Sequence, residues 1–341
     1  MDHYVGIDLH STNNYIAIID NDNRRVFKKK TKNNLKLVLH ALKPYRDQIQ
    51  GIVVESTYNW YWLVDGLFEE GYTIHLANPS AIKQYAGLKH ADDVTDAFHL
   101  ANLLRLGILP TGYIYPKEER PIRDLLRKRL QLVRQRTLQI QSFQNLISRN
   151  LGKSMNGNTV KKLSEEDVEH LFQDNYLVVA GKVSIATILF LRDRIRELEK
   201  TIHKVAKLKD EYELLMTVPG IKTILALTIM YETGPIERFE KVGNYASYCR
   251  CVGSRRLSNE KVKGQGNRKN GNKYLCWAYV EAAHHARRHY ECVKRYHQRK
   301  MAKTNLIVAR KAIAHKLARA CYHIMRNQTR FKPSRVFGMW Q

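Results

Sequence analysis

The segment YVGIDLHSTNNYIAIID, residues 4–20, decides the fold of the first third of the chain. Its two apolar runs, YVGID (4–8) and YIAIID (15–20), flank a short polar turn, as two strands of a meander do. A basic strand near Val26 continues the pattern. Beyond it the sequence predicts an amphipathic helix over 35–42, a buried strand GIVVE (51–55), a helix over 60–70, a strand YTIHL (72–76) and a helix over 93–106. A meander followed by alternating strands and helices is the signature of an α/β domain with a mixed sheet.

From Arg120 the periodicity changes. Leu126, Leu130, Val133, Thr137, Ile140, Gln144, Ile147 and Leu151 recur by alternating steps of three and four, and Ile188, Leu191, Ile195, Leu198, Ile202 and Val205 form a second heptad-like seam that drifts to Leu208 and Tyr212. The Gly, Ser and Asn of 152–158 turn the chain between them, so the two predict an antiparallel coiled-coil hairpin, either an intramolecular bundle or a dimerisation arm. Then LLMTVPGIKTILALTIMYETG (214–234) predicts two helices around a Pro219-Gly220 turn, an element like a helix-hairpin-helix whose second helix offers amides to a phosphate. Residues 250–274 are dense in Lys and Arg, with four Gly and one acid, and predict an irregular basic loop. Helices follow over 275–286 and 305–325. The expected domains are 1–115, 116–212 and 213–341.

Composition bounds the function. The chain has 341 residues, 44% apolar and 26% charged, which suffices for several packed cores, and its net charge is +26. That charge is uneven: 12 basic and 12 acidic residues lie in 1–112, 21 and 15 in 113–235, 25 and 5 in 236–341. A polyanionic partner lying chiefly against the last third is the direct inference. The start MDHYVGIDLH resembles no secretory signal, no run of roughly eighteen apolar residues predicts a membrane span, and five cysteines define no disulfide framework. The expected setting is a reducing cytoplasm, with no membrane partner.

Four carboxylates stand where chemistry would want them. Asp8 ends the first strand and Glu55 a later apolar one, and a carboxylate at a buried strand end is costly unless it meets a cation or several donors. Asp93 and Asp96 lie three apart at a helix start, which sets them on one face. Together they suit Mg²⁺, with Mn²⁺ able to substitute. Singly, Asp93 and Asp96 also read as an N-cap and a first-turn acid, and Asp8 as a turn cap. GIDLHST (6–12) is also similar to the first phosphate loop of sugar-kinase and actin-like ATPases, but no later adenosine loop accompanies it. Cys249, Cys251 and Cys276 with His284, His285 and His289 offer zinc-ligand types without the paired spacing of a zinc site, and buried thiols are the simpler reading. Tyr58, Trp60, Tyr61 and Trp62 divide between base stacking and helix packing.

GIDLHS with Asp8, VVEST with Glu55, the D-x-x-D-A of 93–97, the PGI turn and the basic GSRRLSNEKVKGQGN…GNKYL segment resemble, in this order and over almost the whole chain, the DEDD insertion-sequence transposases. These are bridge-RNA-guided serine recombinases with a RuvC-like first domain. The resemblance implies a RuvC-like (RNase H-like) α/β domain, a coiled-coil insertion and a mainly α transposase domain. It places the four metal-binding acids on Asp8, Glu55, Asp93 and Asp96 and the nucleophilic serine on Ser258. The sequence departs from the family pattern at Asn259 in place of Gly, at Gly253 in place of Pro, and in HADD, where a basic residue usually precedes the aspartates. Ser254 therefore competes for the nucleophile and Asp92 for a ligand position.

The chemistry needs proton removal from the serine, alignment, and neutralisation of charge at phosphorus. Acids with Mg²⁺ serve the first and last. Arg255, Arg256, Lys261, Lys263, Arg268, Lys269 and Lys273 are the candidate phosphate contacts. The implied partners are donor and target double-stranded DNA, a structured guide RNA and further copies of the chain in a dimer or tetramer. Two other classes remain open: a metal-dependent RuvC-like nuclease in which Ser258 is incidental, and a non-catalytic nucleic-acid-binding protein.

Overall fold

The computed structural model describes residues 1–82, 93–206, 209–253, 256–258, 261–264 and 270–338, with the backbone alone at 256–258 and 262. Its contacts divide the chain into two compact units: Met1–Lys117 with Arg255–Asn270, and Glu118–Ser254 with Gly271–Gln341.

The first unit is built on a five-stranded sheet. Strands β1 (His3–Leu9), β2 (Asn13–Asp20) and β3 (Arg25–Lys32) form the antiparallel meander, and β4 (Ile49–Glu55) and β5 (Ile74–Ala77) add in parallel, giving the order β3-β2-β1-β4-β5. Parity assigns the faces. Val5, Ile7, Leu9, Ile16, Ile18, Ile52 and Val54 point to one side, where they bury Val38 and Leu42 of α1 (Leu35–Leu42) and Leu63, Val64 and Leu67 of α2 (Tyr61–Glu69). The opposite face carries Ala17, Ile19 and Val53 against α3 (Asp93–Arg105), through Ala97, Phe98, Leu100 and Ala101. Trp60 is buried in the first layer while Tyr58 is exposed, so the aromatic run divides between packing and solvent.

In the second unit α4 (Arg120–Leu151) and α7 (Asn175–Val205) lie side by side. They run antiparallel: Arg129, early in α4, pairs with Glu199, late in α7, whereas Phe143 meets the Cβ position of Gly181 near the start of α7. Leu126, Leu130, Ile140, Ile147, Ile188, Leu191, Ile195 and Ile202 of the expected seams are buried, but Thr137 and Val205 are exposed. Gly152 caps α4 with φ +63°, so the expected chain turn is a left-handed C-cap. Short helices α5 (Gly157–Val160) and α6 (Glu165–Glu169), which have no clear periodicity in sequence, fill the end of the pair. Contrary to the sequence expectation, α7 is long and apolar enough, by length and composition only, to cross a membrane. Its Ile185, Ile188, Leu191 and Ile195 are buried within this unit, whereas Tyr176, Val179, Val183 and Phe190 of the same helix are exposed.

The rest of the unit is a helical cluster: α8 (Asp210–Met216), α9 (Thr223–Thr233), α10 (Val242–Tyr248), α11 (Lys273–His289), α12 (Glu291–Ala302), α13 (Leu306–Asn327) and α14 (Pro333–Phe337). Gly220, between α8 and α9, has φ +79°, and a Cβ there would fall 2.1 Å from the Ala282 carbonyl oxygen of α11. The Pro-Gly turn thus serves helix packing as well as chain reversal. The chain is a mixed α/β sheet domain followed by a mostly helical region. The expected irregular loop differs in one respect: β6 (Arg256–Ser258) and β7 (Lys261–Gly264) pair as a short antiparallel ribbon, with Leu257 opposite Val262. Local backbone pairing suffices for that, which Gly content and charge do not forbid.

Candidate active site

The parity that splits the core also gathers the acids. Gly6 and Asp8 in β1 face α3, and so do Val53 and Glu55 in the parallel neighbour β4, whose register pairs Gly6 with Val53 and Ile7 with Val54. Asp8 and Glu55 therefore stand side by side at the ends of adjacent strands. The start of α3 is brought over them by a close approach at Gly6. A Cβ at that position would lie 1.9 Å from the Ala97 carbonyl oxygen and 2.8 Å from the Ala101 nitrogen, so only glycine admits the helix this near. Asp93 and Asp96 occupy its first turn, where the helix dipole favours negative charge.

Asp8 and Glu55 feel their acidic neighbours. The Asp8 carboxyl is pushed up to about 6, first by burial and further by the charges of Asp93 and Asp96, against a hydrogen bond with Glu55 that lowers it. Burial, the Asp8 hydrogen bond and the charges of Asp8 and Asp96 push Glu55 up to about 8, with His10 opposing. Adjacent carboxyls in a dry site hold a proton between them because two bare charges are too costly.

His10 is the residue that sequence reasoning missed. Its Nδ1 lies 3.5 Å from Asp8 Oδ1 and its Nε2 3.3 Å from Asp93 Oδ1. One ligand atom from each of Asp8, His10 and Asp93 can be chosen so that all three lie within 4.8 Å of one another. The His10 carbonyl accepts from Asn33 Nδ2 at 2.9 Å and Asn59 Nδ2 at 3.0 Å, which fixes the turn after β1. The only available signal was its place two residues after Asp8. Oxygen-rich donors with one imidazole suit a hard or borderline divalent cation, so the residues present fit Mg²⁺ or Mn²⁺.

Ser258 closes β6 opposite Lys261, in the segment that groups with the acid-bearing unit. Arg256 lies in the same strand. Lys261 and Lys263 are exposed on β7, and Lys273 is exposed at the start of α11, its Nζ 5.2 Å from the Tyr274 ring centre. Asp92, Ser254, Arg255, Arg268 and Lys269 fall outside the described residues.

The helical unit holds the two feet of the basic segment together. Arg250 Nε donates to the Gly271 carbonyl at 3.0 Å, and the Asn272 amide donates to the Tyr248 carbonyl at 2.6 Å. Asn272 then caps α11, accepting from the amides of Tyr274 and Leu275, while its Nδ2 donates to Glu232 Oε2 at 2.7 Å. Glu232, at the end of α9, is buried and also receives Arg123 Nε at 2.9 Å and Arg127 Nη2 at 2.9 Å. Burial alone would raise its carboxyl, but the Arg127 hydrogen bond and the two guanidinium charges outweigh it and hold the group below the usual range. Cys249 and Cys251 are buried nearby, and burial pushes the Cys251 thiol up to about 12, so both behave as core side chains.

Comparison with known families agrees with this layout. A family model described as Transposase, of the DEDD IS110 type, matches residues 5–150, which include all four acids, and one described as Transposase IS116/IS110/IS902 family matches residues 212–298. No curated protein matches the chain. Both family matches name the same mobile-element enzymes and fall in sequence order on the acid-bearing unit and the region around the basic segment: the chain belongs to the IS110-type insertion-sequence transposases.

Proposed function

We propose that this transposase cuts and rejoins DNA through the Ser258 hydroxyl, beside a divalent-metal site made by Asp8, Glu55, Asp93 and Asp96. The observation that carries the reading is the convergence of strand-end and helix-start carboxylates on one face of the sheet, where His10 reaches both Asp8 and Asp93. The sheet order and the helix across its acid-bearing face support a RuvC-like fold for this unit. The paired long helices support the coiled-coil insertion. The grouping of Arg255–Asn270 with the acids supports serine and acids acting from one unit.

Bound there, Mg²⁺ or Mn²⁺ would neutralise charge on the phosphate oxygens. The chain's own groups do the rest. Asp8 and Glu55, side by side at the strand ends, are the carboxylates placed to take the serine proton, and a cation held there would keep them ionised for that role. Lys261 and Lys263, with Arg255 and Arg256, hold nonbridging oxygens and align the phosphodiester. Attack by the serine oxygen breaks one P–O bond to a deoxyribose and releases that sugar's hydroxyl, and the serine ester conserves the bond energy until a deoxyribose hydroxyl attacks it, re-forming the backbone and freeing the serine. Donor and target duplexes, a guide RNA and further copies of the chain, as dimer or tetramer, complete the reading, and the enzyme acts in the cytoplasm at the nucleoid.

The test is a denaturing gel. With donor DNA and Mn²⁺ the wild-type protein should give a protein-DNA adduct that survives denaturant. Ser258→Ala should bind DNA and give none, and Asp96→Asn should fold and neither cleave nor form adduct. Metal-dependent cleavage by Ser258→Ala without loss would favour a metal-nuclease mechanism, in which the four acids suffice.

A further inference from the structure

The helical unit contains a groove that neither the acids nor the basic ribbon uses. A hollow of about 1020 Å³ runs between α4, the start of α9 and α11, with Arg134, Lys222, Trp277, Glu281, His285 and Tyr290 among its walls. A second hollow shares Leu130 and Arg134 with it and continues across α4 to Lys128, Lys273 and Tyr274. On α11 the residues Lys273, Trp277, Glu281, His285 and His289 recur every four positions and trace a stripe about 24 Å long that drifts about 40° per step around the helix, Trp277 to His289 lining the first hollow and Lys273 the second. Lys128, Arg134, Lys222 and Lys273 are exposed along this band, whereas Arg127 and Arg129 beside them are tied to Glu232 and Glu199.

Exposed cations beside the half-buried Trp277 and the exposed Tyr290 are the two halves of a single-strand site: the first follow phosphates and the second stack on bases. A duplex covers its base faces, so Trp277 and Tyr290 have nothing to stack on unless the strand is unpaired. Glu281 sits among these cations, 3.2 Å from His285 Nε2. A carboxylate repels phosphate and accepts instead from a base amine or a sugar hydroxyl, as expected where bases and sugars turn inward.

We infer that this band binds an unpaired nucleic-acid strand, phosphates on Lys128, Arg134, Lys222 and Lys273 and bases over Trp277 and Tyr290. The inference rests on the nucleic-acid reading above and adds a site for the unpaired portion of the substrate or guide, separate from the duplex-facing ribbon.

The test uses the full chain and fluorescence anisotropy with oligouridine and oligothymidine of about ten nucleotides, beside a duplex of arbitrary sequence. The double variant Arg134→Glu, Lys222→Glu should bind single strands at least tenfold more weakly, with the log-log salt slope reduced by roughly 1.4, while duplex affinity stays within about twofold. Trp277→Ala should weaken single-strand binding about fivefold or more, and Trp277→Tyr should retain most of it, which separates stacking from loss of fold. Binding of either oligomer supports the site, and their ratio identifies the sugar. Equal losses on duplex and single strand, or unchanged single-strand binding in the double variant, would overturn it. A wild-type chain that holds duplex but neither oligomer sinks this inference alone. One that binds no nucleic acid sinks the reading beneath it as well.

Discussion

Gly6→Ala should disable the acid cluster without touching an acid. The new Cβ would lie 1.9 Å from the Ala97 carbonyl oxygen, and ordinary contact begins near 3.4 Å, so α3 must retreat by about 1.5 Å or tilt. The obstacle is helix backbone, which no rotamer change relieves. Overpacking of this kind costs about 1–3 kcal/mol, enough to lower the melting temperature by several degrees but not to unfold the unit. The effect on the site is larger. Asp93 and Asp96 ride on the displaced turn, and a functional constellation tolerates about 0.5 Å. A misplacement of about 1 Å can cost a hundredfold in rate. Calorimetric titration with Mn²⁺ and a cleavage assay on donor DNA, beside a thermal melt, would measure the three effects. Gly51→Ala is the control: its Cβ would meet the ends of Leu104 and His75 at 3.3 and 3.4 Å, side chains that can give way. If Gly6→Ala melted lower yet bound Mn²⁺ and cleaved as the wild type does, the claim that α3 positions the acids through this contact would be refuted.

Three further outcomes are expected. In metal-free protein Asp8 and Glu55 hold protons to about 6 and about 8, above their ordinary values of 3.8 and 4.5, so the folded state binds more protons than the unfolded chain. Stability should then fall as pH rises across that window, and urea melts should show Asp8→Asn flattening the decline and Mn²⁺ opposing it. Glu232→Ala strands the buried Arg123 guanidinium and should cost about 3–5 kcal/mol in a denaturant melt, a loss that an unchanged midpoint would contradict. Ser254→Ala should keep adduct formation, and peptide mapping of the wild-type adduct to Ser254 would overturn the choice of Ser258.

Strand positions and the acids they carry were legible because their signals are local. YVGID, YIAIID and GIVVE are short apolar runs between polar turns, and α1 and α4 begin where the periodicity said they would. Asp93 and Asp96 announced themselves by helical spacing. His10 did not, because its role depends on a turn pinned by Asn33 and Asn59, residues distant in sequence. The Glu232 cluster was equally hidden. An isolated acid at the end of an apolar helix shows nothing of the two arginines about a hundred positions upstream, nor of Asn272, 40 residues on. The groove on α11 needed α4 and α9 beside it before its stripe of side chains had meaning. The ribbon at Ser258 escaped because composition argues against packing more than against pairing.

The joined feet of the basic segment have an entropic consequence. Closing a chain of 21 intervening steps, the separation of Arg250 from Gly271, costs on the order of 2.7 kcal/mol in lost configurations. The bonds from Arg250 and Asn272 meet that cost inside the helical unit before any DNA arrives. The encounter with a duplex then supplies none of it, and the whole closure term is absent from the binding free energy. Were the feet released, the same term would fall on the DNA complex, a weakening of roughly a hundredfold with every phosphate contact still available.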